Sequence, residues 1–171
     1  MLPETRALLI EDELVLLADS GELPEVAYHS ALWHLCGNSD GPHLLLTEAE
    51  KQQLQDAALR RWQQIILRDL DPARRDCRSW RGPLRSFYNW ERYLTFCQRI
   101  RREPDASFRE RVATALTTFL SQEITDQRSG TRPSSLNCSN TELLTYACQL
   151  GLAEDTLPAD WNTLWSEENR N

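Results

Sequence analysis

The chain has 171 residues, 40% hydrophobic and 26% charged, an ordinary composition for one globular domain. Six tryptophans, four tyrosines and four phenylalanines can anchor a core, so intrinsic disorder is not expected. No stretch approaches the roughly 18 apolar residues that span a bilayer, and the net charge of −7 argues against binding nucleic acid with the whole surface.

Helical periodicity recurs along the chain, and strand alternation is absent. Two helices are predicted in the first third, over about 3–19 and from Pro24 onward, because proline suits the first position of a helix. Thr47 and Glu50 match a capping box that would start a longer helix, ending near Leu70. Trp62 lies on the apolar face of that helix and is expected in the core.

A second long helix is predicted from about Pro83 to Arg102. Its apolar side chains follow a 3–4–3 spacing, which predicts one buried stripe: Phe87, Trp90, Leu94 and Cys97. Ser107 and Glu110 match a capping box for the next helix, with Asp105 as a competing cap, and that helix should end near residue 124. The connection is short, so the two helices should pack antiparallel.

For the last part of the chain, the sequence predicts a linker followed by a helical pair. Residues 127–138 are predicted to form the linker or a long loop, because their first part is rich in Ser, Arg, Gly and Pro. Ser139 and Glu142 match a capping box, and Gly151 suits a helix end. Trp161 and Trp165, four residues apart, can cover one face of a short final helix.

These elements predict an all-α fold: a single-domain helical bundle of about five to seven helices. Residues 1–126 would form the main bundle, 127–138 the linker, and 139–171 a helical hairpin or appendage packed on it. No internal repeat is evident.

Positive charge is concentrated in the middle of the chain. Fourteen of the 18 arginines lie between Arg60 and Arg111, and Lys51 is the only lysine. Residues 60–113 carry a net charge of +7, whereas 1–59 carry −9 and 114–171 carry −5. Because guanidinium groups match carboxylates and phosphates in a planar fork, this segment should meet something anionic.

Arginines recur every seven residues along the 83–102 helix, on the side opposite its buried stripe, with Asn89 among them. The predicted partner-binding residues are Arg78, Arg81, Arg85, Tyr88, Arg92 and Arg99. Tyr88 or Tyr93 could stack on a base or on a guanidinium. A solvated helix face, partly paired with the protein's own acidic flanks, explains the same pattern without a partner, and both interpretations stay open.

Sequence motifs typical of catalytic or cofactor-binding sites are lacking. The sequence has no nucleophile elbow, no glycine-rich phosphate loop and no E-x-x-H pair, so neither catalytic residues nor a cofactor are predicted. His29, His34, Cys36 and His43 lie close together, but only His29 and Cys36 would share a helix face, so no metal site is predicted.

The five cysteines are widely spread, without any C-x-x-C pair. The acidic start of the chain lacks the basic region of a signal peptide, so the cytoplasm is the expected compartment and the thiols should be reduced.

The sequence therefore favours a non-enzymatic protein that binds another macromolecule. The leading hypothesis is an adaptor, assembly factor or regulatory subunit whose arginine and aromatic helix face contacts a protein. One alternative is a nucleic-acid-binding accessory subunit that uses the same face. Another is an immunity-type or antitoxin-like inhibitor, in which the acidic flanks bind and the arginines are scaffolding. No membrane partner is expected, and a homo-oligomer is compatible with the sequence.

Overall fold

A computed structural model describes residues 48–76, 82–131 and 136–165, which are mostly helical and contain no strand. Their four α-helices are α1 (Glu48–Asp69), α2 (Gly82–Arg99), α3 (Ala106–Ser129) and α4 (Asn140–Gln149). Short 3₁₀ turns cover Pro72–Arg74, Glu154–Thr156 and Trp161–Trp165. The all-α prediction is confirmed for these ranges. The count of five to seven helices stays a prediction, because the helices expected before residue 47 lie outside the described residues.

Helices α1 and α2 form the most extensive pair and run antiparallel. The Ser86 hydroxyl, near the start of α2, donates a 2.9 Å hydrogen bond to the carbonyl of Ile66, near the end of α1. Beyond the other end of α2, Arg102 Nη1 lies 2.5 Å from Asp56 Oδ1 on α1. The main neighbour of α2 is thus α1, and α2 also contacts α3 through Phe108.

The remaining helices continue the alternation of direction. Asp126, near the end of α3, meets the chain just after α1, so α3 runs parallel to α1 and opposite to α2. Helix α4 runs parallel to α2. The Leu84 backbone N–H donates to Asn137 Oδ1 at 3.2 Å just before α4, and Gln149 Nε2 donates to Glu91 Oε1 at 3.4 Å at its end.

One hydrophobic core joins all four helices. Trp62 and Trp90 are fully buried, as the sequence predicted, and the rings of Trp90 and Tyr93 lie 5.4 Å apart. Phe108, on α3, contacts both rings at 5.9 and 5.3 Å. Of the predicted stripe on α2, Phe87, Trp90 and Cys97 are buried, whereas Leu94 is only partly buried.

A buried polar link fastens three helices together inside this core. Ser86 Oγ lies 2.8 Å from the Tyr146 hydroxyl and also donates to Ile66. Because serine has a single hydroxyl hydrogen, Tyr146 must donate to Ser86. Burial raises the pKa of Tyr146, which keeps its phenol protonated as the donor.

Side-chain caps fix the starts of the later helices. Asp105, not Ser107, caps α3: its carboxylate accepts from the backbone N–H groups of Ser107 and Phe108. Asp105 stands immediately before the first helical residue, where a short carboxylate reaches both orphan donors. The Ser139–Glu142 capping box on α4 is confirmed.

Helix α3 extends to Ser129, five residues past the predicted end, and stops at Gly130 in the left-handed conformation. It therefore enters the segment 127–138 that the sequence treats as a linker. Leu157, Trp161 and Leu164 belong to the same hydrophobic core as the helices. The proposed division of the chain at 127–138 stays a prediction.

The C-terminal tryptophans pack inside the molecule. The rings of Trp161 and Trp165 meet edge to face with centroids 5.8 Å apart. The Trp165 Nε1–H donates to the Cys138 carbonyl at 2.9 Å. Asp160, directly before Trp161 in sequence, forms an ion pair with Arg128 on α3. The predicted short final helix is thus a 3₁₀ turn held against α3 and the start of α4.

Candidate functional site

The structure places the spaced arginines on one helix. Arg85, Arg92 and Arg99 all belong to α2, where intervals of seven residues put them on one side. Arg92 and Arg99 are exposed, and Arg85 is partly buried. We call Arg85, Tyr88, Arg92 and Arg99 the arginine face. Arg78 and Arg81, predicted with them, lie outside the described residues.

Two of these guanidinium groups sit close enough to repel each other. Partial burial lowers the pKa of Arg85, and the positive charge of Arg92 lowers it further. Arg85 stays protonated at any physiological pH because the ordinary pKa of arginine is so high. Guanidinium groups pair with carboxylates and phosphates through charge-assisted hydrogen bonds.

Tyr88 lies between them on the helix surface, three residues after Arg85 and four before Arg92. Among the described large hydrophobic side chains it is the exposed one, with 40% of its surface accessible. Its hydroxyl donates to Glu142 Oε1 at 3.2 Å, and that hydrogen bond, with the charge of Glu142, raises the pKa of the phenol. The ring is thereby held in place and presents an apolar surface beside the charges.

Two acidic residues, Glu91 and Glu142, border the arginine face. Glu142 both caps α4 and holds Tyr88, while its own pKa is lowered by hydrogen bonds from Ser139. Glu91, next to Arg92 in sequence, adds negative charge near Tyr88. Only the capping-box match of Glu142 was visible in the sequence, because its contact with Tyr88 joins positions 54 residues apart.

Asn89 does not belong to the exposed face on which the sequence placed it. It is 1% exposed, and neither amide atom has a hydrogen-bond partner among the described residues. The position lies three residues after Ser86 and four before Tyr93, both buried, so it shares their side of the helix.

Other kinds of site find no support in the described ranges. No group of three or more His, Cys, Asp or Glu side chains there is arranged to hold a metal ion. The histidines and Cys36 considered above lie outside those ranges. Cys97, Cys138 and Cys148 are free thiols. Among the described helices, none combines the length and apolar character needed to cross a membrane.

Comparison with known families classifies the chain. The sequence model of a family described as a repeat of unknown function (DUF7826) matches residues 5–152. The chain belongs to this family. The matched unit includes α1 to α4 and the whole arginine face, and it fills most of the chain, in keeping with the lack of an internal repeat. Neither a curated protein nor a solved structure matches the chain.

Proposed function

We propose that this protein is a non-enzymatic, cytoplasmic interaction protein that binds an acidic segment of another protein through the arginine face. The observation that carries the proposal is the placement of the exposed Tyr88 between Arg85 and Arg92 on one side of α2. Such a cluster joins paired cations to an exposed aromatic anchor, and arginine and tyrosine are both enriched in protein interfaces.

The rigidity of the surface also supports the proposal. Helix α2 is buried along its other side by Phe87, Trp90 and Cys97, so the exposed side chains project from a backbone that cannot easily shift. The hydrogen bond to Glu142 restrains Tyr88 in the same way. A surface ordered before binding loses less conformational entropy when the partner arrives.

The bordering acids favour a protein partner over a nucleic acid. A phosphate backbone would pass close to Glu91 and Glu142, whose carboxylates lie beside Tyr88. The net charge of −7 adds long-range repulsion. An acidic peptide can instead place its carboxylates on the arginines and its donors near the glutamates.

The test compares three purified proteins by fluorescence anisotropy, using a labelled Glu-rich peptide and its Gln-rich counterpart as probes. One variant replaces Arg85, Arg92 and Arg99 with Gln; the matched control replaces the exposed Arg74, Arg109 and Arg111, which lie off α2. With about 0.5 kcal/mol per exposed ion pair, the first variant should bind the Glu-rich peptide about tenfold more weakly than wild type. The control should match wild type.

Equal losses of affinity in the two variants would show that binding depends on total charge and not on a particular site, and would contradict the proposal. Unfolding of the α2 variant would show that the arginines are paired within the fold. Tighter binding of single-stranded RNA or duplex DNA than of the Glu-rich peptide, with a slope of log affinity against log salt near −0.9 for each phosphate contacted in duplex DNA, would favour the nucleic-acid alternative.

A further inference from the structure

The arginines of the arginine face lie on the flank of α2 that turns away from α4. Phe87 marks the side that meets α4, because its ring centroid lies 5.4 Å from that of Tyr146. At about 100° per residue, Arg92 and Arg99 lie about 120–140° around the helix from Phe87. Glu91, the one acid within α2, accepts a hydrogen bond from the end of α4. The flank itself therefore carries positive charge.

Phe96 lies between two of these arginines. It follows Arg92 by four residues and precedes Arg99 by three, and positions three and four apart are neighbours on a helix surface. Its ring is only partly buried. None of the three guanidinium groups of the arginine face is without an interaction in the folded chain, so an incoming segment has to compete for them. The flank thus presents two cations with a partly exposed ring between them.

The start of the chain carries the complementary pattern. Residues 1–47, which lie outside the described ranges, contain eight acids against a single arginine. Asp12, Val15 and Asp19 stand three and four residues apart, so they share one side of the first helix that the sequence predicts. Read in the direction opposite to α2, this spacing matches the spacing on the flank and gives three pairs: Asp19–Arg92, Val15–Phe96 and Asp12–Arg99.

The start of the chain is long enough to reach this flank. Helix α1 begins at Glu48 and runs antiparallel to α2, so the chain enters α1 beside the end of α2 that carries Arg99. Residues 20–47 would span about 40 Å even if helical throughout, at about 1.5 Å per residue, whereas α2 is about 27 Å long. The family model starts at residue 5, so it treats this segment and the four described helices as one unit.

We propose that residues 12–19 form a helix that packs antiparallel on α2, pairs its two aspartates with Arg92 and Arg99, and occupies the arginine face until an acidic partner displaces it. The contact is autoinhibitory, because a segment of the same chain competes with the partner at a high effective concentration. Charge pairs beside an apolar contact also set the register of two packed helices. This inference rests on the proposed function and specifies how access to its site is regulated.

The full-length wild-type protein provides a test that needs no substitution. A nuclear Overhauser effect between the Val15 methyls and the Phe96 ring should be present in its NMR spectra, because contact brings their heavy atoms within about 4.5 Å. Absence of this effect, with both side chains assigned, would overturn the inference.

Two double variants of the full chain test the charge pairs. One replaces Asp12 and Asp19 with Asn; the matched control replaces Glu13 and Glu22 with Gln, which removes the same charge from the same segment. In the predicted helix, Glu13 lies about 100° around from Asp12, off the side proposed to contact α2. The aspartate variant should bind the Glu-rich peptide about fivefold more tightly than the control variant, the factor expected from losing two exposed ion pairs.

NMR of the same proteins without peptide shows where these charges act. The Nε–H signals of Arg92 and Arg99 should shift in the aspartate variant relative to wild type and stay in place in the control. Equal peptide affinity in the two variants, or unmoved arginine signals in the aspartate variant, would contradict the inference. Far-UV circular dichroism checks that each variant is folded; if the aspartate variant unfolds, the contact between Val15 and Phe96 in wild type still decides.

Failure of this inference and failure of the proposed function give different results. If only the autoinhibitory contact is wrong, the Glu-rich peptide still binds and still depends on the arginines of the arginine face, while both acid variants bind it equally. If the arginine face binds no partner, the Glu-rich peptide binds no better than its Gln-rich counterpart. The contact between Val15 and Phe96 then still reports whether the segment packs on α2.

Discussion

Arg75 and Glu123 form a buried ion pair that ties the turn after α1 to α3. Nη2 of Arg75 lies 2.6 Å from Oε1 of Glu123, and the two side chains are 6% and 1% exposed. Nη1 of Arg75 donates to Asp126 Oδ2 at 2.6 Å, and the guanidinium lies 5.2 Å from the centre of the Phe119 ring. One arginine thus meets two carboxylates and an aromatic face, so this arginine serves the fold rather than the candidate site.

Replacing Glu123 with Ala should destabilise the protein by about 3 kcal/mol, because it leaves part of a buried guanidinium unpaired. The control is Glu110→Ala at an exposed position of the same helix, which should stay within about 0.5 kcal/mol of wild type. Urea unfolding measures both. A loss below about 1 kcal/mol for Glu123→Ala would show that the pair is solvated.

Asn89→Leu should leave the free energy of unfolding unchanged or increase it. The amide is buried without a hydrogen-bond partner among the described residues, and replacing such a group with an apolar one of similar size removes a desolvation cost. Thermal unfolding gives the answer. A loss above about 2 kcal/mol would mean that Asn89 makes hydrogen bonds in the folded protein.

The Asp105 cap should make stability depend on pH in the acid range. Hydrogen bonds from the Ser107 hydroxyl and the Phe108 backbone N–H hold the pKa of Asp105 below its ordinary value of 3.8. The ionised form is therefore favoured in the folded state. Its stabilisation is present above the unfolded pKa and is lost as the pH falls through the folded pKa.

Asp105→Asn is the matched variant, because asparagine also caps helices but does not titrate. The difference in unfolding free energy between wild type and this variant should be constant above about pH 5 and should shift against wild type below the ordinary pKa. A difference that does not change with pH would contradict the assigned hydrogen bonds.

The three described thiols should react at very different rates. Cys148 is exposed, whereas burial raises the pKa of Cys97 and raises that of Cys138 to about 12. Thiolate is the reactive form, so iodoacetamide at neutral pH should modify Cys148 first and the other two only after unfolding. Peptide mass spectrometry resolves the sites. Modification of Cys138 as fast as Cys148 in the folded protein would place Cys138 at the surface.

Local patterns predicted much of the described fold. The spacing of Phe87, Trp90 and Cys97 identified the buried side of α2, and the Ser139–Glu142 match identified the start of α4. Such features depend on residues a few positions apart. The end of α3 was placed too early because the apolar signal fades after Ile124, although Gly130 marked the stop.

Long-range partners were not predictable in the same way. Arg75 and Glu123 are 48 positions apart, and nothing in the local sequence separates Glu123 from a surface acid. The burial of Asn89 depends on what packs against its side of α2. The sequence placed Tyr88 with the arginines on one helix face, but its hydrogen bond to Glu142 needed the three-dimensional arrangement.

The proposal that the arginine face binds an acidic segment is tested most directly by mapping where such a segment contacts the protein. Isotope-labelled protein is titrated with the Glu-rich peptide, and both backbone amides and arginine Nε–H signals are followed by NMR. The account predicts saturable shifts at Arg85, Arg92, Arg99 and the Tyr88 ring, with Arg109 and Arg111 on α3 unaffected. Chemical-shift changes centred on α3 would contradict this proposal. So would the absence of changes at about 1 mM peptide, because a Kd above about 1 mM means a binding free energy weaker than about −4 kcal/mol.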